Sequence, residues 1–459
     1  MSKFIAIDIG SSFVKAALFD LDSHTLIAKE KRMSPQKKIS DDVNRFEIDA
    51  YRYVDLVRSL LTQITAEHKG ITGLLLSTQM HGVVFKPRDM DPVYISWQDQ
   101  RCIEQNGEHY YLEALKNKIS ICDMSRHGVY LKPMMGLCNL HTAIRQHQFK
   151  CDGELFSLGS FISNELCGAN ICHPHNAAPM GLINVDDNTV DEALLEKMEL
   201  SGLKLPRIAK KDNEILGEIK LNGNLIYIYP DFGDMQIAAL GSRISRGDAL
   251  VNIATASQVM AVTDKVITGS FETRPFFGGL FLRTISQLPS GRNLKVLIDF
   301  IRSVVSDFSD ASLSDDEIWD KVHLLLSRAK HIDSNLAVNP YFYASGEHLS
   351  GGAINFITPS NLSCTSIFEA MFSAMAKSYR EHLEKLGNYD VITRIVCAGG
   401  VSFKVPELIH KIRKFTQKKC ELPLMQDEAI YGMFIAAMFC SEKISSVYDS
   451  DALTLNIKG

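Results

Sequence analysis

The hydrophobic and polar positions divide the chain into alternating strand and helix patterns. Within FIAIDIGSSFVKAALFD, apolar residues alternate from Phe4, pause at Gly10, Ser11 and Ser12, and resume through Val14, Ala16 and Leu18, which predicts a hairpin with a small polar tip. Val54, Val57, Leu61 and Ile64 then recur at helical spacing, and the apolar run Ile71 to Leu76 follows as a strand. It ends in STQMHG, which puts Gln79, Met80 and His81 at a strand's carboxyl end, where α/β sheets commonly bind ligands; a plain passage from strand to loop fits the local residues equally well. Val93 to Trp97 leads into the polar knot Gln98, Asp99, Gln100 and Arg101. A tryptophan beside an acid and a base suits an apolar-backed sugar site, and a structural Asp99–Arg101 pair is the alternative. Ser160 to Gly168 predicts a short helix stopped by its glycine.

The stretch YPDFGDMQIAALG, Tyr229 to Gly241, follows a strand at Ile226 to Tyr229 and sets Asp234 between Gly233 and an apolar helix start. Taken alone, an aspartate there is a helix cap. After Gly247 the opening pattern returns. A shift of 244 residues lays DALVNIATASQVMAVTD, Asp248 to Asp264, over Phe4 to Asp20, with the small residues Ala254, Thr255 and Ala256 at the tip. Further on come a strand at Leu280 to Ile285, Ser290 and Gly291 before an apolar helix, and a helical core face of Ile367, Phe368, Met371, Phe372 and Met375. Strand Arg394 to Ala398 ends in Gly399 and Gly400 and passes into a helix carrying Val405, Leu408, Ile409 and Ile412, an arrangement that lets backbone approach a nucleotide closely. The last helix, Glu428 to Phe439, is expected to seal the second domain. The recurrence predicts two similar α/β domains, residues 1–243 and 244–459. A phosphate-cradling hairpin from each would hold a nucleotide in the cleft between them, with Asp8, just before the first tip, placed to bind magnesium directly or through its water shell.

Composition agrees with this picture. A chain of 459 residues exceeds one ordinary core, and 46% apolar with 22% charged residues gives no reason to propose extended disorder. The net charge of -5 leaves no electrostatic footprint for nucleic acid, and the basic clusters Lys29 to Arg32, Lys37 with Lys38, and Lys418 with Lys419 are short enough to be solvated surface. The N-terminus enters a strand without an apolar signal region, and no apolar run reaches the roughly eighteen residues of a membrane span, so a cytoplasmic protein with no membrane partner is expected. Ten cysteines without a CxxC pair are expected as reduced core thiols. Cys167, Cys172, His173 and His175 are four candidate zinc ligands, but the histidines follow too closely for the usual helix-borne pair, so a core role is expected instead. A homodimer is compatible with the sequence and not encoded visibly in it.

Taken in order, DIGSS with Lys15, STQMHG, SWQDQRC, PDFGDMQ, the second hairpin and AGGVS resemble the FGGY carbohydrate kinases, from Lys3 to about Ser441. The resemblance implies two actin-like, ribonuclease H-type ATPase domains with ATP and a sugar in the interdomain cleft. It makes Asp234, which matches the aspartate of the family's GD motif, the base that deprotonates the sugar hydroxyl. It implies sugar contacts from Gln79, Met80, His81, Asp99 and Asp234, nucleotide contacts from Gly10, Ser11, Ser12, Lys15, Thr255, Gly291, Gly399 and Gly400, and magnesium at Asp8. Within the family the chain is most similar to the sedoheptulokinase branch: Trp97, Gln98, Asp99, Arg101 and Cys102 fit WQDGRC except at Gln100. Gly233, Asp234, Met235 and Gln236 resemble GDLQ, with Met235 where xylulose kinases usually carry asparagine, and Glu272, Arg274, Pro275, Phe276 and Phe277 add to the likeness. The implied activity is ATP-dependent phosphorylation of a terminal hydroxyl of a ketose, sedoheptulose first, with xylulose or another pentulose as the alternative. Ala254 departs from the family's usual glycine, a change worth about 1 kcal/mol if the turn is left-handed. Asn139 and His141 occupy the neighbourhood of a signature lysine and tryptophan. These departures keep open a weakly active regulator that binds sugar and nucleotide.

Overall fold

A computed structural model describes residues 2–267, 269–329, 335–343, 351–387 and 389–457 of the chain. The alternating N-terminal residues form the expected hairpin, β1 (Lys3–Ile9) and β2 (Phe13–Asp20), extended by β3 (Thr25–Met33). Helix α1 (Tyr51–Glu67) crosses to β4 (Ile71–Thr78), which lies parallel to β1. Helices α2 (Leu158–Cys167) and α3 (Pro174–Met180) precede β5 (Gly217–Leu221) and β6 (Asn224–Gly233), and β6 is again parallel to β4. The sheet order is β5-β6-β4-β1-β2-β3, closed at its outer edge by the short strand Asn456–Ile457. One face of β1 and β4, with Ile5, Ile7, Leu74 and Leu76, buries the α1 stripe Val54, Val57, Leu61 and Ile64. Helix α4 (Asp234–Gly241) follows β6 directly.

The chain divides into two units: Met1–Arg243 with Thr263–Leu282 and Asp427–Gly459, and Ile244–Val262 with Arg283–Gln426. In the second unit, β7 (Asp248–Ile253) and β8 (Ser257–Thr263) form the recurring hairpin, with β9 (Phe281–Leu288) beside β8. Helices α5 (Gly291–Phe308) and α6 (Cys364–Lys385) follow, then β10 (Arg394–Ala398), α7 (Pro406–Thr416) and β11 (Lys419–Glu421). Strand β10 is parallel to β7, as β4 is to β1, so the topology of the hairpin and its third strand recurs, although the third strands are offset by 323 residues (394 − 71) and not by 244. The two hairpins differ by one residue in register: Ile9 pairs with Val14, whereas Ile253 pairs with Ser257. None of Ala254, Thr255 and Ala256 has a positive φ, so the strain expected for alanine in place of glycine does not arise.

The last helix, Glu428–Cys440, was expected on the second domain and instead packs on α4, β1 and β4 of the first unit. A Cβ added at Gly432 would lie 1.9 Å from the Ile237 carbonyl oxygen, so the absence of side chains at Gly241 and Gly432 brings the two helices together; Phe434 meets Phe19 of β2 at 5.6 Å. The helix is apolar nearly all round and gives no directional stripe from which its partner could be read. Among the described residues no helix is long and apolar enough to cross a membrane.

Candidate active site

Parallel pairing of β1, β4 and β6 aligns Asp8 with Ser77 and Gly233 with Thr78, which brings Asp8, the loop Gln79 to Gly82 and Asp234 to the carboxyl ends of three adjacent strands. Asp234 is the first residue of α4, after the extended Gly233. Its Oδ1 accepts from the adjacent Met235 amide, at 2.8 Å. Gly233 holds the N-cap position and no side chain makes a cap hydrogen bond there, so Asp234 is not the N-cap. Asp234 is half-buried. Loss of solvation, and next the Asp8 carboxylate, push its pKa up to about 7 against the downward pull of the Met235 amide and Arg274. Asp8 is also raised, first by burial and further by Asp427; Lys15, its partner across the β1–β2 ladder, and Ser77 Oγ, which donates to Oδ1 at 3.1 Å, oppose that. Among the described residues no three His, Cys, Asp or Glu side chains gather to hold a metal ion by themselves.

The strand-end loop is tied on both sides. Gln79 donates to Tyr53 Oη at 3.3 Å and accepts from Trp97 Nε1 at 3.1 Å. A Cβ at Gly233 would lie 2.7 Å from Met80 Sδ and 2.3 Å from Gln236 Oε1, so glycine before the aspartate lets these side chains close beneath it. His81 adopts a left-handed backbone, φ 71°. Its Nδ1–H donates to the Pro179 carbonyl at 3.0 Å and its Nε2 accepts from Arg274 Nη2 at 3.2 Å. Burial, reinforced by Lys132 and Arg274, drives its pKa well below 6.5, so the ring is neutral in this tautomer. Both ring nitrogens of His81, a residue expected to contact the sugar, are thus engaged within the protein. Arg274 donates through Nε to Glu272 Oε2 at 3.0 Å, also through Nη2, and through Nη1 to Met235 Sδ at 3.3 Å, while Lys132 Nζ holds Glu272 Oε1. Burial opposes ionisation of Glu272, but Arg274 and Lys132 override it and hold its pKa below the usual range.

Lys132, Glu272 and the reach of Arg274 were not assigned from sequence as site groups. The only signal was the likeness of Glu272 and Arg274 to the heptulose branch. Lys132 lies 140 positions from its partner, in a stretch without helical or strand periodicity.

Asp99 differs from the expectation of a sugar contact. Its fully buried carboxylate accepts from Arg101 N, Nε and Nη2 and from Phe46 N, at 2.7 to 3.1 Å, which fills the four lone-pair positions of the group. Asn139 braces this knot, donating to the Asp99 and Pro133 carbonyls at 2.8 and 2.7 Å and accepting from Cys102 N at 3.2 Å, while His141 bonds the Met198 carbonyl. Among the cysteine and histidine candidates, Cys167 Sγ donates to the Ser163 carbonyl, His173 N-caps α3 and meets Asp212 Oδ1 at 3.1 Å, and His175 lies edge-on to Phe277. Cys172, His173 and His175 are buried and Cys167 is half-buried. Asp231, in the same PDFGD run as Asp234, is fully buried and accepts from Ser157 Oγ at 2.6 Å, Asn176 Nδ2 at 2.8 Å and His173 N at 3.1 Å, fixing α2 and α3 to β6.

In the first unit the hairpin tip closes by Gly10 N donating to Phe13 O at 3.1 Å, leaving Ser11 and Ser12 exposed. In the second, four expected nucleotide residues gather. Gly291 N donates to the Ala254 carbonyl at 3.1 Å, Ser290 Oγ bonds the Thr255 carbonyl, and a Cβ at Gly399 would lie 2.5 Å from the Ile253 carbonyl oxygen. Gly399 has φ 84° and needs glycine for both reasons, while Gly400 faces open space. The second hairpin tip, the N-terminus of the 18-residue α5 and the β10 glycines therefore converge, a backbone-lined arrangement suited to phosphate.

Residues 3–227 match the FGGY family of carbohydrate kinases, N-terminal domain. Among curated relatives, sedoheptulokinase of Mus musculus is 22% identical, covering 89% of this chain and 92% of its own. A Pasteurella multocida protein named as a probable L-xylulose kinase is 19% identical over 99% of this chain and 94% of its own. Of the solved structures, gluconate kinase from Lactobacillus acidophilus matches with a TM-score of 0.82 at 16% identity, covering 100% of this chain and 94% of that one. The fold is the two-domain, actin-like one expected from the sequence.

Proposed function

Because the chain belongs to the FGGY family of carbohydrate kinases, we propose that it transfers the γ-phosphoryl group of ATP to a terminal hydroxyl of a ketose, with sedoheptulose the first acceptor to test. The observation that supports this most is Asp234 itself, a carboxylate raised to about 7 by burial and by Asp8, at a strand end, with one oxygen on the adjacent amide. A base with a pKa near working pH is both available and strong enough to take a hydroxyl proton. In the proposed step the acceptor oxygen bonds to phosphorus as the bond to ADP breaks, and the hydroxyl proton passes to Asp234. Gly10, Ser11, Ser12 and Lys15 of the first unit and Thr255, Gly291, Gly399 and Gly400 of the second are the proposed nucleotide contacts. Gln79 and Met80 are the proposed sugar contacts from the strand-end loop.

Magnesium fits Asp8. Asp8 repels Asp234 and is itself repelled by Asp427, which a cation would relieve, and an ion that keeps several waters and binds through one or two carboxylates does not need a closed protein cage. Bound there, it would supply charge neutralisation on the transferring group. The same reading puts the enzyme in the cytoplasm, in keeping with ten free cysteines.

A pentulose is the second acceptor class, motivated by the relative named for L-xylulose. The test is ADP release across sedoheptulose, xylulose, ribulose and glycerol. Release that depends on a ketose is expected; sugar binding with no ADP above background on any acceptor would favour a regulator instead.

A further inference from the structure

Four side chains from distant parts of the first unit form one network beside Asp234, with His81 and Arg274 buried and Lys132 and Glu272 partly so. Lys132 and Arg274 share the Glu272 carboxylate, and His81 holds the far side of Arg274. Within the network one carboxylate bonds two cations, with His81 neutral; the Asp234 carboxylate feels the charge of Arg274, but no hydrogen bond joins them among the described residues. Donors are in surplus. Lys132 Nζ has three N–H groups and uses one on Glu272. Arg274 spends Nε and Nη2 on Glu272 and His81, leaving Nη1 only the thioether of Met235, a weak acceptor that an oxygen would displace. A cluster serving stability alone gains by pairing every buried charge, since an uncompensated one is costly to hold away from water.

The network is also held in one orientation. His81 keeps a left-handed backbone that is unfavourable for a residue with a Cβ, while its Nδ1 is fixed by the Pro179 carbonyl. The fixed ring sets where Nη2 of Arg274 lies, and with it the plane of the guanidinium. That plane abuts Met235, the neighbour of the proposed base, and its charge reaches the Asp234 carboxylate.

We infer that Lys132 and Arg274, carried together on Glu272, are the donors that bind the acceptor sugar through oxygens other than the reacting hydroxyl, and that His81 positions Arg274 and does not bond the sugar. This rests on the carbohydrate kinase reading. The recognised chemistry is a lone-pair oxygen on a small polyhydroxylated chain, either the hydroxyl or carbonyl of a ketose or the carboxylate of a sugar acid.

The test measures binding by calorimetry and turnover by ADP release, with sedoheptulose, xylulose and gluconate, on the full chain and on Lys132→Met, Arg274→Met and Arg274→Lys. Lys132 is the least buried of the four, its side chain 22% exposed, so K132M keeps the test open if burial makes R274M fold poorly. The expected result is a rise of about tenfold to a hundredfold in KM and Kd for the sugar, larger than any fall in kcat, for both methionine variants, with partial rescue in R274K. R274M should in addition shift the acid limb of kcat/KM to higher pH, a change that lost folding alone would not produce. A larger loss on the ketoses assigns the donors to neutral acceptors, and a larger loss on gluconate assigns them to a carboxylate; either supports the inference. Folded K132M and R274M with sugar KM and Kd within twofold of the unsubstituted protein on every acceptor would overturn it while leaving the kinase reading intact. Failure of the unsubstituted protein to bind or phosphorylate any of these sugars would overturn both.

Discussion

Nη2 of Arg274 lies 3.2 Å from Nε2 of His81, joining residues 193 positions apart and consuming the last free nitrogen of the imidazole. The other nitrogen is on the Pro179 carbonyl. A histidine in a strand-end loop invites the role of acid, base or sugar ligand, and here it is a neutral acceptor for an arginine.

The first prediction separates His81 from Asp234, because both could be blamed for a transition near neutrality. Asp234 must lose its proton to act as base, so kcat/KM should rise with pH through about 7 and level off above it. His81 stays neutral throughout that range, so His81→Gln should retain the limb at lower overall efficiency, whereas a limb that disappears in H81Q would assign the transition to the imidazole. The measurement is a kcat/KM profile from pH 5.5 to 9.

Asp234→Asn should lose about 10² to 10⁴ in kcat, the usual loss on removing a general base, yet gain stability. The folded pKa, about 7, lies above the unfolded value of about 3.9, so the folded state binds more protons between these pH values and the protein loses stability as pH rises through that window. The variant escapes this loss. Urea unfolding should show D234N ahead by on the order of 1 to 3 kcal/mol at pH 8, with the gap closing towards pH 4. Equal stability at both pH values would show that the carboxyl is not strained.

Asp231 sits three residues from the proposed base and has a different task. Asp231→Ala would strand the Ser157 hydroxyl proton and the His173 amide in the interior, whereas Asn176 Nδ2 keeps Thr78 Oγ1 and the carbonyl of residue 231. The expected destabilisation is about 3 to 5 kcal/mol by chemical unfolding; a loss below about 1 kcal/mol would mean water replaces the carboxylate.

The crossing of α4 with the terminal helix should tolerate no methyl group. A Cβ at Gly241 would lie 1.8 Å from the Glu428 carbonyl oxygen. Gly241→Ala and Gly432→Ala should each destabilise by roughly 2 to 4 kcal/mol and, by moving α4, lower kcat more than they raise the KM for ATP. Unchanged midpoints in urea would contradict the close approach.

Much of this site was legible in order along the chain. The alternation around Gly10 and its return at Ala254 gave both hairpins, and strand polarity placed STQMHG and Asp234 at neighbouring strand ends. What was not legible depends on contacts across long separations. Asp99 looked like a sugar ligand because its neighbours Trp97 and Arg101 suit one, and nothing local revealed that the Phe46 amide and the Asn139 brace complete a closed knot. Lys132 sits in a segment with no periodicity, and only its meeting with Glu272 gives it a role. The terminal helix was misplaced because an all-round apolar surface specifies burial without specifying a partner.

The most direct test of the account is sugar-dependent ADP release by the intact chain and by D234N, measured side by side at pH 8 with ATP, magnesium and sedoheptulose. Ketose-dependent release from the intact chain and a fall of at least about a hundredfold in D234N are expected, with sugar binding retained by calorimetry. Undiminished release from D234N would contradict it.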